Sequence, residues 1–121
     1  MGLVHLHTHA EFSFLDGCGT SRHFAERAAA MGQEALALTD HGVLSGAPHH
    51  IRACEENDIK PILGMEAYFR PDRSVREKEH SAYSHLVLLA KNETGWKNLM
   101  RLQSEAWDSG FYGKPCVDWD L

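Results

Sequence analysis

Apolar residues recur along the chain in two rhythms, alternation by two and stripes at helical spacing. Near the start, Val4, Leu6 and Thr8 alternate with His5, His7 and His9. That period predicts a strand with the histidines on one face. Gly17-Cys18-Gly19 marks a turn, and Thr20 or Ser21 can cap a helix in which Phe24, Ala28 and Met31 recur, with Gly32 as its stop. Residues 34–40 carry alanines and leucines on both faces, as in a strand covered on both sides, and end in Asp40-His41-Gly42. Gly46-Ala47-Pro48 opens a second helix with a narrow stripe of Ile51 and Cys54, closed by Asn57-Asp58. A third strand runs from Lys60 to Phe69, with Pro61 among its first residues, and a fourth from Ser84 to Ala90. Asn92 or Thr94 caps a third helix whose stripe of Trp96, Leu99, Leu102 and Ala106 is core packing. After Gly110, residues 111–121 read as a turn-rich tail.

The alternation of strands and helices predicts an α/β fold with parallel pairing and right-handed crossovers. In such folds polar residues at the C-terminal ends of strands collect at one face. His7, His9 and Asp40-His41 fall at such ends, and Glu66 lies near one. With parallel pairing, His85 stands at the opposite end of its strand. Residues 70–82 read as a charged, solvated loop, with a flap over a site as the alternative.

A length of 121 residues fits one small domain or part of a larger one. Hydrophobic residues make up 43%, which argues against disorder. The net charge of −5 argues against a non-specific grip on phosphate backbones, although bound divalent ions can invert the local field. Cys18, Cys54 and Cys116 are scattered and odd in number, which excludes a zinc ribbon, disfavours a disulfide framework and fits a reducing cytoplasm. The start lacks the basic and apolar regions of a signal peptide, Leu6 replaces the hydroxyl residue of a myristoylation signal, and no apolar run approaches about 18 residues.

Nine histidines are many for this length. His23, His49, His50 and His80 have no partner in the pattern and read as surface residues. His5, His7 and His9, at period two and followed by Asp16, point to a metal site, because neutral imidazole is the commonest side-chain ligand and a carboxylate can complete it. Glu66 sits inside an apolar run, where a carboxylate is rare unless paired or coordinating; an outward edge position is the alternative. His85 reads equally as a ligand or as a hydrogen-bonded core histidine.

Five phrases occur in order: His7-Thr8-His9-Ala10-Glu11-Phe12-Ser13 with Leu15-Asp16-Gly17; Leu38-Thr39-Asp40-His41-Gly42; residues 59–66; residues 85–95; and Gly110-Phe111-Tyr112-Gly113-Lys114-Pro115. Together they resemble the polymerase-and-histidinol-phosphatase (PHP) family, closest to the branch at the N-terminus of bacterial C-family replicative DNA polymerases. The resemblance covers essentially the whole chain.

It implies the first half of a distorted (β/α)7 barrel with parallel strands, a metal site at one end, and residues 1–121 as the N-terminal part of the domain. Two or three divalent ions (zinc, manganese or iron) would be held there. The implied ligands are His7, His9, Asp16, His41, Glu66 as the bridging carboxylate, and His85. His5 then precedes the motif, and Asp40 orients His41 without touching metal. Family members draw further ligands, and the polymerase catalytic centre, from sequence beyond this length. A half barrel would leave the fourth strand as an open apolar edge.

The implied activity is metal-dependent phosphoester hydrolysis of the 3′–5′ exonuclease type, with no catalytic base separate from the ligands. The implied partners are the remainder of a polymerase chain, DNA through that chain, and a sliding clamp and proofreading exonuclease subunit; a membrane is not among them. A phosphatase resembling histidinol phosphatase and a catalytically silent structural segment are the alternatives.

Overall fold

A computed structural model describes residues 2–76 and 82–121. Helix α1 (Ser21–Ala30) leads to strand β1 (Ala35–Leu38), helix α2 (Ala47–Glu56) and strand β2 (Lys60–Phe69). Strand β3 (Ser84–Leu89), helix α3 (Glu93–Asp108) and the short strands β4 (Phe111–Tyr112) and β5 (Lys114–Val117) follow. Thr20 caps α1 by accepting from the His23 N–H, and Asn92 caps α3 by accepting from the Gly95 N–H. The fold is α/β, as the element order predicts.

β2 is the axis of the sheet. Its first half pairs in parallel with β1, Ala35 to Leu38 opposite Lys60 to Leu63. Its end pairs in parallel with β5, Tyr68 and Phe69 opposite Cys116 and Val117. The expected tail is thus a pair of strands, because Gly113, at φ 72°, turns the chain tightly enough for β4 and β5 to pair antiparallel. Along its other edge β2 pairs with β3, and this pairing is antiparallel, with Tyr68 opposite His85 and Glu66 opposite Val87. Parallel pairing of β3 fails for a physical reason: no crossover helix separates it from β2 among the described residues, and a strand that returns directly must run backwards. Leu86 and Leu89 are exposed on β3.

The opening histidine stretch is extended, but it is attached to β1 rather than forming a strand of its own. One bridge joins His5 to Leu36, and the Ala37 and Thr39 N–H groups donate to the His5 and Thr8 carbonyls, both at 2.9 Å.

The helices cover one face of the sheet. Ala25, Ala28, Leu36, Ala53, Cys54 and Ile59 pack α1 and α2 against β1. Met65, Ala67, Ala106 and Val117 join β2 and β5 to α3, with Leu88 and Leu102 alongside. Alternation along β2 sends Glu66 and Tyr68 to the opposite face. The buried side of α1 is centred on its alanines, whose small side chains suit a close approach to α2, so Met31, expected in the stripe, is 51% exposed.

Two residues read as solvated are buried. Arg70 is enclosed, its guanidinium donating to the Tyr112 and Val75 carbonyls, while Arg73 pairs with Asp118 at 2.5 Å. This part of the loop therefore packs on the β4–β5 end, and His80 lies outside the described residues. His50 is only 1% exposed; it sits on α2 facing the core, with Nε2 2.9 Å from the Leu36 carbonyl oxygen. The cysteines are free thiols, and burial pushes Cys54 up to about 11. Among the described residues no helix is long and apolar enough to cross a membrane.

Burial pushes the His50 imidazole below its ordinary 6.5, against the opposing pull of the Leu36 carbonyl and the Asp40 charge. The folded chain therefore keeps His50 neutral where the unfolded chain already binds a proton, so this residue lowers stability progressively as pH falls below about 6.5. Melting curves across that range are expected to show a shallower loss of Tm for His50→Gln than for the parent chain.

Candidate metal centre

The face opposite the helices gathers donor side chains from four separate segments. His7 and His9, two residues apart on the extended stretch, point to the same side. Thr39 holds that stretch in place: its hydroxyl accepts from the Thr8 N–H at 2.9 Å and donates to the Thr8 carbonyl at 3.1 Å. Beyond Ala10 the chain coils, the Ser13 N–H donating to the Ala10 carbonyl and the Asp16 and Gly17 N–H groups to the Ser13 carbonyl. Gly17 closes this coil because any Cβ there would lie 1.7 Å from the Ala10 carbonyl oxygen.

The coil returns Asp16 to His41, whose Nε2 is 2.7 Å from Asp16 Oδ2. His41 follows β1, where an isolated parallel bridge sets it beside Glu66. The loop after it is tied to α3 by bonds from the Trp107 indole N–H to the Gly42 carbonyl and from the Leu44 N–H to the Gln103 side chain.

Glu66 is the focus. His7 Nε2 makes a short contact with its Oε2, and His9 Nε2 lies 3.0 Å from the same oxygen. Its Oε1 makes a short contact with His85 Nδ1 and is 3.7 Å from His41 Nδ1. The rings of His9 and His41 stack at 4.1 Å, and His85 meets His41 edge-on at 5.3 Å. Antiparallel pairing is what brings His85 here: it turns the beginning of β3 toward the end of β2.

Burial alone would raise the Glu66 carboxyl, but the His7 hydrogen bond, the His41 and His7 charges and the His85 hydrogen bond hold it below the usual range. The His41 hydrogen bond does the same for Asp16 on the open side.

Three overlapping groups result: His7, His9 and Glu66; His9, Asp16 and His41; His41, Glu66 and His85. Within each, the donor atoms lie within 4.8 Å of one another. His41 Nδ1 is buried with no hydrogen-bond partner among the described residues, although it faces Glu66. An orphaned imidazole nitrogen beside a carboxylate, in a set of mixed nitrogen and oxygen donors, fits a divalent cation. His5 belongs to none of these groups; its carbonyl serves the bond to Ala37.

The PHP domain model matches residues 5–121. The chain belongs to the PHP domain family. It is 47% identical over 124 residues to the DNA polymerase III subunit alpha of Treponema pallidum (strain Nichols), covering 100% of this chain and 11% of that one. The subunit alpha of Aquifex aeolicus (strain VF5) is 41% identical over 126 residues, covering 98% of this chain and 11% of that one. The PHP chain thus spans about a tenth of the length of these polymerase relatives.

Two solved structures share its fold. One, from Bifidobacterium adolescentis and assigned as a metal-dependent phosphoesterase, has a TM-score of 0.59 at 22% identity, covering 88% of this chain and 35% of that one. An amidohydrolase from Chromobacterium violaceum has a TM-score of 0.59 at 24% identity, covering 86% and 34%.

Asp40 reaches His41 in the PHP domain through Ser13. Its Oδ1 accepts from the Ala10 N–H at 2.8 Å and from the Ser13 hydroxyl at 2.7 Å, rather than from the His41 ring. Ser13 is the connecting residue. Its oxygen accepts from the His41 N–H at 3.1 Å and lies 3.4 Å from His9 Nδ1. A proton on His9 Nδ1 can be donated to that oxygen, leaving the Nε2 lone pair directed at the cluster.

The spacing of the histidines does not point to Ser13, although a lone hydroxyl between Phe12 and Phe14, four residues after His9, is a signal for such a role. Tyr68 is a further such residue: its ring stacks on His41 at 5.8 Å, and its place two residues beyond Glu66 in a strand puts it on the same face.

Ser13→Ala leaves the buried Asp40 Oδ1 with one donor and the His41 N–H without its acceptor. Chemical denaturation is expected to show a loss of about 1–3 kcal/mol.

Proposed function

We propose that this PHP domain binds divalent metal ions through His7, His9, Asp16, His41, Glu66 and His85 and hydrolyses phosphoesters. The observation that carries this reading is the sharing of Glu66 and of two histidines among the donor groups, with Glu66 buried and reached through both its oxygens. A merely structural ion pair needs one partner for a carboxylate; here four histidines from three segments converge on it. Bound divalent ions supply Lewis acidity toward a phosphoryl oxygen and an acidified water.

The chain's own residues hold and orient. Glu66 spans the groups, one oxygen toward His7 and His9 and the other toward His41 and His85. Ser13 and Asp40 fix His9 and the His41 backbone, while the coil ending at Gly17 delivers Asp16 to the open side. Asp16 and His7, at 58% and 53% side-chain exposure, leave that side accessible to a phosphoester. No separate base is required.

The polymerase relatives support a narrower version. This chain acts as a segment of a replicative DNA polymerase in the cytoplasm, and the phosphoester is a 3′-terminal linkage of DNA. Its immediate partner is the rest of that polymerase chain, which meets DNA, a sliding clamp and a proofreading exonuclease subunit. Two or three ions of zinc, manganese or iron would serve.

Elemental analysis after dialysis against each metal is expected to find at least about one equivalent bound to the parent chain. Glu66→Gln is expected to weaken metal affinity by about tenfold or more, to judge from the cost of losing even outer partners of a metal site. With metal bound, a 5′-labelled single-stranded oligonucleotide is expected to be shortened faster than a small phosphomonoester is cleaved. A folded parent chain that takes up no metal would overturn the reading, and cleavage of the monoester alone would replace the nuclease with a phosphatase.

A further inference from the structure

The sequence phrase ending in Lys114-Pro115 has no part in the donor cluster, yet the fold brings it there. β5 pairs in parallel with β2, Cys116 opposite Tyr68, so Lys114 stands on the same face of the sheet as Tyr68 and Glu66. Its Nζ lies 5.0 Å from the centroid of the Tyr68 ring, and that ring stacks on His41. The position is firmly set. The β4–β5 turn fixes the start of β5, and Pro115 is buried against the loop at Gly42, where an added Cβ would come within 3.0 Å of Pro115 Cγ.

Lys114 has no carboxylate partner among the described residues, although the chain is acidic overall. A lysine is a point charge on a flexible stem, well suited to a phosphate oxygen.

At the other edge of β2, away from β5, stands Tyr83, just before β3. Its ring meets Tyr68 edge-on at 5.0 Å and lies 5.7 Å from the His85 ring. It is 39% exposed, so part of an aromatic surface beside the cluster is open to solvent. Exposed aromatic faces of this kind stack nucleobases with little regard to sequence.

We infer that Lys114 and Tyr83, both set against Tyr68, form a nucleotide-recognising wall of the metal centre: Lys114 takes a phosphate oxygen and Tyr83 the flat face of the adjoining base. The choice of ligand rests on the phosphoester reading above. The wall deepens that reading by assigning the grip on the nucleotide's phosphate and base to two residues that hold no metal. Lys114 and Tyr83 are binding residues in this scheme, with Tyr68 positioning both.

Titration of the full chain with deoxyadenosine monophosphate, inorganic phosphate and deoxyadenosine tests the wall, with manganese and again in chelator, metal content being measured for every variant. With manganese, the monophosphate is expected to bind about tenfold tighter than inorganic phosphate, the gain of one stacked base. Tyr83→Ala is expected to remove that gain and leave phosphate binding unchanged, while Tyr83→Phe retains it. Lys114→Met, which keeps the stem over Tyr68 but not the charge, is expected to weaken both phosphate ligands several-fold and leave deoxyadenosine unaffected.

A metal-loaded chain indifferent to Tyr83→Ala and Lys114→Met would overturn the wall and leave the metal reading intact. A chain that takes up no metal, yet binds the monophosphate through Tyr83 and Lys114, would keep the wall and remove the metal reading. Loss of nucleotide binding only in variants that have also lost their fold, with Tyr83→Phe and Lys114→Arg no better, would assign both residues to packing and overturn the inference.

Discussion

Burying a carboxylate in an apolar strand carries a desolvation cost that must be offset by groups able to satisfy its oxygens. Glu66, 4% exposed between Met65 and Ala67, sets that requirement for the whole site. Its oxygens are met by His7, His9, His41 and His85, which come from the opening stretch, the end of β1 and the start of β3. Each segment is held by contacts of its own: Thr39 for the opening stretch, the Ser13–Asp40 pair for the coil, and the β2–β3 ladder for His85. These supports lie outside the donor set itself. The cluster therefore rests on the fold rather than on the mutual attraction of its own side chains.

How much of this could be read from the residues depends on whether the relevant force is local. β2 was legible from end to end, and so was the α3 cap, because both follow from neighbouring side chains. The gathering of His7, His9, His41 and Glu66 was legible from strand ends and period-two spacing. The direction of β3 was not, since an apolar run reads the same forwards and backwards, and what decides it is the connection before it. The antiparallel choice also removes the objection to His85, which parallel pairing would have carried away from the others.

Burial of individual polar residues was the least legible. His50 looks like a surface residue because its partner, the Leu36 carbonyl, is revealed only when α2 lies on β1. Arg70 is similar, its acceptors lying in β4 and in the loop after β2. Asp40 bears on its neighbour His41 through a residue distant in sequence, because the Ser13 oxygen accepts from the His41 N–H. The contact it makes is with Ser13, across 27 positions.

β2 carries two sets of residues on alternate positions, Met65 and Ala67 for the helix-facing core and Glu66 and Tyr68 for the donor face. A strand of this kind has no tolerance for slippage: inserting or deleting one residue before Met65 would turn the carboxylate into the core and a methionine into the site at a single stroke. Changes of length are thereby tolerable only in the connecting loops, and β2 tolerates substitution alone.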